Sequence, residues 1–141
     1  MFEIYTDASV SNGNAVSTCL VISPDAFIGY TVNKYTNISS SLHGELLGIL
    51  DGIRYAKAAV LKPEDTAILY SDSNSAVSLL NSKKYSNAVD SNILKSIYEE
   101  CTNYNITFEV VKGHQSSHNP NKIVDLTSNT VLRYLSQTEV F

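Results

Sequence analysis

Twice in this chain an apolar, strand-like run ends on an aspartate followed by a small residue. The first is Tyr5-Thr6-Asp7-Ala8-Ser9 and the second Tyr70-Ser71-Asp72-Ser73. Before the first, Phe2 and Ile4 alternate with Glu3 and Tyr5, the period-two pattern of a short strand. Ser11-Asn12-Gly13-Asn14 beyond it reads as a turn. An acid at the tip of a central strand is costly to bury unless something cationic sits on it. A single such aspartate is most simply a turn former closing a hairpin. Two of them, both at strand ends, point to one site.

The remaining elements follow from periodicity. Ala15 to Ile22 is apolar and rich in β-branched residues, and Phe27 to Tyr35 alternates, so the first three strands form an antiparallel meander. The hydroxyls of Ser39-Ser40-Ser41 precede a helix from Leu42 to Val60, with Leu42, Leu46, Ile49, Leu50, Ile53 and Ala56 on one face. Thr66 to Ser71 is a fourth strand, and Ser73 to Asn81 and Ser91 to Asn103 are helices. Ile106 to Val111 is a fifth strand, Gly113 to Asn121 a loop, and Lys122 to Ser136 a last helix. Strands four and five each follow helical segments, so crossovers add them in parallel. The expected fold is α/β: a five-stranded mixed sheet, three strands antiparallel and two parallel, flanked by helices.

With 141 residues the chain is expected to form one domain around one core. Its 43% hydrophobic and 17% charged residues are globular values. No run approaches the ~18–20 apolar residues of a membrane span, and no basic segment followed by an apolar one marks a secretory signal. Cys19 and Cys101 are too few and too far apart for a zinc site or a disulfide framework. Buried free thiols in a reducing cytoplasm are expected instead. The net charge of −4 argues against binding nucleic acid by bulk electrostatics. Setting four of the fourteen acids aside as metal ligands leaves ten to balance the ten basic residues, so a polynucleotide substrate stays open.

Four acids stand out by position. Asp7 ends strand one, Asp72 ends strand four, Glu45 lies in the first turns of the long helix on its apolar face, and Asp125 opens the last helix. Sites in open sheets form beyond the carboxyl ends of strands where strand order reverses, which would set Asp7 beside Asp72. Carboxylates without neighbouring His or Cys suit a hard cation, Mg²⁺ or Mn²⁺. Two such ions ~4 Å apart would hold a phosphodiester, activate water and stabilise the leaving oxygen.

Asp7 in Tyr-Thr-Asp-Ala-Ser, Glu45 in Gly44-Glu45-Leu46-Leu47-Gly48-Ile49, Asp72 in Ser-Asp-Ser, and Asp125 after Lys112-Gly113-His114 resemble type 1 ribonuclease H, as does the order of elements. The resemblance implies that Asp7, Glu45, Asp72 and Asp125 hold two Mg²⁺ ions, with Asp7 bridging, Glu45 and Asp72 on one ion and Asp125 on the other. His114 is implied to assist proton transfer or product release. The implied reaction is metal-dependent endonucleolytic cleavage of the RNA strand of an RNA–DNA hybrid, leaving 5′-phosphate and 3′-hydroxyl ends. The implied partner is that hybrid, with no membrane or protein partner and a monomeric enzyme. Minor-groove recognition reads 2′-hydroxyls on one strand and deoxyribose on the other. Ser9, Asn12, Ser41, Ser73, Asn74 and Asn119 are the small polar residues expected to contact substrate. His43, at the start of the helix, reads as a structural or capping residue, with contact to substrate phosphate as the alternative, and His118 as a polar loop residue. This chain differs from the family where Ser40-Ser41-Leu42-His43 replaces a common asparagine pair, and where Lys83-Lys84-Tyr85 replaces a basic, tryptophan-bearing protrusion.

A proofreading-type exonuclease would place two acids one residue apart, and Ser9 stands at that spacing from Asp7. A structure-selective DNA nuclease of the same superfamily and a non-catalytic nucleic-acid-binding module remain as alternatives, because fold does not fix substrate. A nucleotide-binding α/β protein would need a glycine-rich phosphate loop, which this sequence lacks.

Overall fold

A computed structural model describes residues 1–25, 28–83, 88–111 and 120–138. The strands are β1 (Phe2–Ser11), β2 (Asn14–Ile22), β3 (Ile28–Tyr35), β4 (Thr66–Ser71) and β5 (Asn105–Val110). The helices are α1 (Ser41–Ala59), α2 (Asn74–Ser82), α3 (Ala88–Cys101) and α4 (Pro120–Gln137). They form one five-stranded sheet in the order β3-β2-β1-β4-β5. β1, β2 and β3 pair antiparallel, while β4 and β5 join in parallel, as the sequence order implies.

β1 is longer than its apolar run. Its pairing with β2 continues from Glu3↔Ile22 to Ser11↔Asn14, whereas its parallel pairing with β4 covers only Phe2 to Tyr5. Asp7 therefore lies inside β1 and not at its tip, a correction to the expected boundary. What ends after Tyr5 is the neighbour on one side, and that one-sided ending opens the site. The hairpin closes through Asn12 at φ 51° and Gly13 at φ 77°. Two consecutive left-handed residues make the tight turn whose twist matches the strands. α4 also starts earlier than expected, at Pro120, because proline at the first helical position loses no hydrogen bond.

The larger core lies between the sheet and the helices α1 to α3, and its fully buried residues include Ile4, Leu46, Ile49, Ile53, Leu69, Leu94 and Ile97. A smaller cluster of Tyr5, Leu20, Val111 and Val124 seats α4 on the opposite face. Cys19 is buried, which pushes its thiol up to about 12, and Cys101 is a partly buried free thiol. Among the described residues no helix is long and apolar enough to cross a membrane.

α1 starts on a well-made cap. Ser40 accepts a hydrogen bond from the His43 backbone N–H at 3.1 Å, and His43 Nδ1 accepts one from the Ser39 N–H at 3.0 Å. His43 is thus the capping residue the sequence suggests. Along the helix, Gly44, Gly48 and Gly52 face β1 and β2 at four-residue spacing. A Cβ at Gly44 would lie 2.6 Å from Val10 Cγ2, and one at Gly52 would lie 2.6 Å from Thr6 Cγ2. Only glycine lets the helix lie this close, and the closeness carries Glu45 to β1.

Gly52→Ala tests this. Alanine gains ~1 kcal/mol of helix propensity, but the crowding against Thr6 is expected to cost ~1–3 kcal/mol as overpacking. Urea unfolding should therefore show an unchanged or lower stability, and a gain of the full propensity term would show that the approach is not tight.

Candidate active site

The site forms where β1 runs on past the end of β4. Asp7, paired opposite Thr18 of β2, is 3% exposed. β4 ends at Ser71, whose carbonyl accepts the Val111 N–H at 2.9 Å. Asp72 follows, exposed, on the short connection to α2. It is held between two fixed serines: Ser71 Oγ accepts the Ser73 N–H at 3.1 Å, and Ser73 Oγ caps α2 by accepting the Ala76 N–H at 3.2 Å.

Asp125 comes from the second turn of α4 on the other face of the sheet. Ser128 pins that helix: its hydroxyl donates to Thr18 Oγ1 at 2.7 Å and lies 3.4 Å from the Asp7 carbonyl oxygen. One carboxylate oxygen from each of Asp7, Asp72 and Asp125 lies within 4.8 Å of the others. Glu45 reaches in from α1 across the opposite face and is not part of that triangle. It accepts the Ala8 backbone N–H, while its Oε2 is buried with no hydrogen-bond partner.

Burial and like charge act together here. Desolvation raises the Asp7 carboxyl far above its ordinary range, and the charges of Glu45 and Asp72 push it the same way. Glu45 is pushed up to about 8, first by burial and then by Asp72, with the Ala8 N–H opposing. Among the described residues no lysine or arginine pairs with any of these four acids. Arg54 and Lys57 instead pair with Glu100, each at 2.8 Å.

Converging carboxylates, an orphaned buried oxygen and no local cation fit a bound metal. The donor set is all oxygen, so the cation would be hard, as Mg²⁺ or Mn²⁺ is.

Of the other residues expected at the site, Ser9 is buried and its hydroxyl donates to Asn129 Oδ1. Ser73 is used as a helix cap and the Asn12 backbone as a turn. Ser41 and Asn74 are exposed at the first positions of α1 and α2. His114, His118 and Asn119 lie outside the described residues. Sequence reasoning passed over Ser128 and Asn129, although their spacing of three and four residues from Asp125 puts them on the same side of a helix.

The sequence matches the RNase H family model over residues 1–132. The chain belongs to the RNase H family. The family and the acidic cluster mark it as a hydrolase, a nuclease of the RNase H type. Its structure is similar to that of RNase H1 from the halophilic archaeon Halobacterium salinarum, with a TM-score of 0.77, 16% identity, and coverage of 94% of this chain and 97% of that one. The N-terminal RNase H domain of Rv2228c from Mycobacterium tuberculosis is similar at a TM-score of 0.77 and 15% identity, covering 92% and 96%. LC11-RNase H1, isolated from compost and seen in complex with an RNA/DNA hybrid, is similar at a TM-score of 0.61 and 12% identity, covering 94% and 99%. At these identities the likeness is one of fold. No curated protein matches the sequence.

The raised carboxyls predict a pH dependence in the metal-free protein. Between the ordinary glutamate value of 4.5 and about 8, folded Glu45 keeps a proton that the unfolded chain has lost. Stability should therefore fall as pH rises through that window. With chelator present, the protein should melt lower at pH ~8 than at pH ~5.5, and Mg²⁺ should reverse the loss. Asp7→Asn, which removes the most buried charge, should stabilise the metal-free protein by ~1–3 kcal/mol. A destabilised Asp7→Asn variant in chelator would contradict the electrostatic account.

Proposed function

We propose that this chain, as a single domain and a monomer in the cytoplasm, cleaves the RNA strand of RNA–DNA hybrids endonucleolytically, leaving 5′-phosphate and 3′-hydroxyl ends. The observation that carries this is the convergence of Asp7, Asp72 and Asp125 within 4.8 Å, with the orphaned Glu45 oxygen beside them and no cation among the described residues to offset them. Membership of the RNase H family supports the chemistry, and the hybrid bound to the structurally similar LC11-RNase H1 supports the substrate. The two free cysteines fit a reducing compartment.

In this reading Asp7, Glu45, Asp72 and Asp125 would together hold two divalent ions, with His114 assisting proton transfer or product release. Mg²⁺ there, or Mn²⁺ in its place, supplies charge to the phosphodiester, a lowered pKa to the attacking water and stabilisation to the leaving oxygen. The protein's own contribution is rigidity. Asp7 is fixed within a strand paired to β2 from Glu3 to Ser11, so its position costs nothing further to organise when substrate arrives. Asp72 and Asp125 stand exposed on either side of it, open to a scissile phosphate. Ser41, Asn74 and Asn119 supply the polar contacts to the hybrid backbone and minor groove, while Ser9, Asn12 and Ser73 act through the local structure they hold.

The decisive assay is cleavage of an end-labelled RNA strand annealed to DNA, beside duplex RNA, duplex DNA, branched DNA and single strands. Cleavage should be confined to the hybrid and require Mg²⁺ or Mn²⁺. Asp72→Asn should reduce it by more than ~100-fold, since even outer-shell partners of a metal cost about 10- to 100-fold. Its melting temperature in chelator should not fall. Cleavage of branched DNA alone would replace this reading with a structure-selective DNA nuclease, and full activity in Asp72→Asn would remove Asp72 from the site.

A further inference from the structure

We infer that Asn129 is a positioning residue for the reaction: locked by Ser9, it holds the Asp125 carboxylate in the rotamer that faces Asp7. This inference rests on the reading of Asp7 and Asp125 as metal-holding groups.

Asn129 Nδ2 donates to Asp125 Oδ1 at 3.2 Å, and the Ser9 hydroxyl donates to Asn129 Oδ1. The two contacts use opposite ends of one amide. A free asparagine could turn either end toward Asp125, and its oxygen there would repel the carboxylate. The Ser9 hydroxyl, on a buried strand residue, retains the amide oxygen on the β1 side. The Asp125 carboxylate, which can only accept, takes the NH₂ group, so the two contacts together fix the amide between β1 and Asp125. Because the amide is neutral, it engages one carboxylate oxygen and leaves the full negative charge and the second oxygen for a cation.

The arrangement follows from matched repeats. Asp7 and Ser9 are two residues apart on β1, so they point to the same face, ~6.6 Å apart along the strand. Asp125 and Asn129 are four residues apart on α4, ~6 Å along the helix. The helix crosses the strand so that Asp125 meets Asp7 and Asn129 meets Ser9, as two rungs at nearly one spacing. Ser128, bonded to Thr18 and near the Asp7 carbonyl, seats the helix between the rungs. Ser128 sets where α4 lies, and Asn129 sets how its carboxylate is turned.

Asn129 is itself exposed on the helix. Alanine is favourable at such a position, so Asn129→Ala should fold and melt, in chelator, within a few degrees of the parent. Its Kd for Mn²⁺, measured by calorimetry without substrate, should rise ~10-fold, within the range for outer-shell partners of metal ligands. The Mg²⁺ concentration for half-maximal cleavage should rise in parallel, with KM for the hybrid unchanged. Ser9→Ala should shift both in the same direction. The double variant should be no worse than Asn129→Ala, because Ser9 acts through Asn129. Additive losses, or metal dependence in Asn129→Ala equal to the parent's, would overturn the inference. Asp125→Asn serves as the reference. If it weakens Mn²⁺ binding while Asn129→Ala does not, the positioning role alone is wrong. If Asp125→Asn itself binds Mn²⁺ and cleaves as the parent does, the metal-site reading fails with it.

Discussion

Repulsion among carboxylates that have no basic partner among the described residues is the constraint on which this structure depends. Asp7 is 3% exposed, and Glu45 buries an oxygen that nothing satisfies. Left to relax, such groups would turn outward to water or draw a lysine toward them. The surrounding structure prevents both. Asp7 belongs to a strand paired with β2 from Glu3 to Ser11, and Glu45 rides on a helix pressed onto the same strand. Arg54 and Lys57 are engaged with Glu100. Stability is given up locally to keep these carboxyl groups in place, a common trade at functional sites.

Three features hold the acids against that repulsion. β4 stops after Ser71 while β1 continues, so a gap opens beside Asp7 just where the chain leaves the sheet with Asp72. The glycines of α1 remove the side chains that would keep the helix away, and a Cβ added at Gly44 or Gly52 would come within 2.6 Å of a β1 side chain. Ser128 and Asn129 fasten α4 to the opposite face. Acids from a strand, from the connection after its neighbour and from helices on both faces thus meet beside one strand ending, and no single element could place them there.

Much of this was legible in the residues. Alternation and helical spacing located the nine elements seen among the described residues, and their order implied antiparallel pairing first and parallel additions after. The acids Asp7, Glu45, Asp72 and Asp125 were conspicuous because each stood at a strand end or near a helix start. Boundaries were read less well. The polar Asp7, Ser9 and Ser11 broke the apolar pattern and made β1 look finished at Asp7, because backbone pairing with β2 persists where side-chain hydrophobicity does not. Ser9 and Ser73 looked like substrate contacts because a hydroxyl near an acid carries no mark of whether it faces solvent or a neighbouring helix.

Local pattern therefore determined which residues form strands and helices, and which acids are out of place in a core, since both depend on side-chain type and spacing alone. Tertiary structure decided the rest. It set the 4.8 Å grouping of Asp7, Asp72 and Asp125, the separation of Glu45 onto the other face, and the commitment of Ser9 to Asn129. Those depend on how far one strand outlasts its neighbour and on the register of a helix lying across it. Contacts of that kind join residues up to about 120 positions apart and leave no periodicity for a sequence to display.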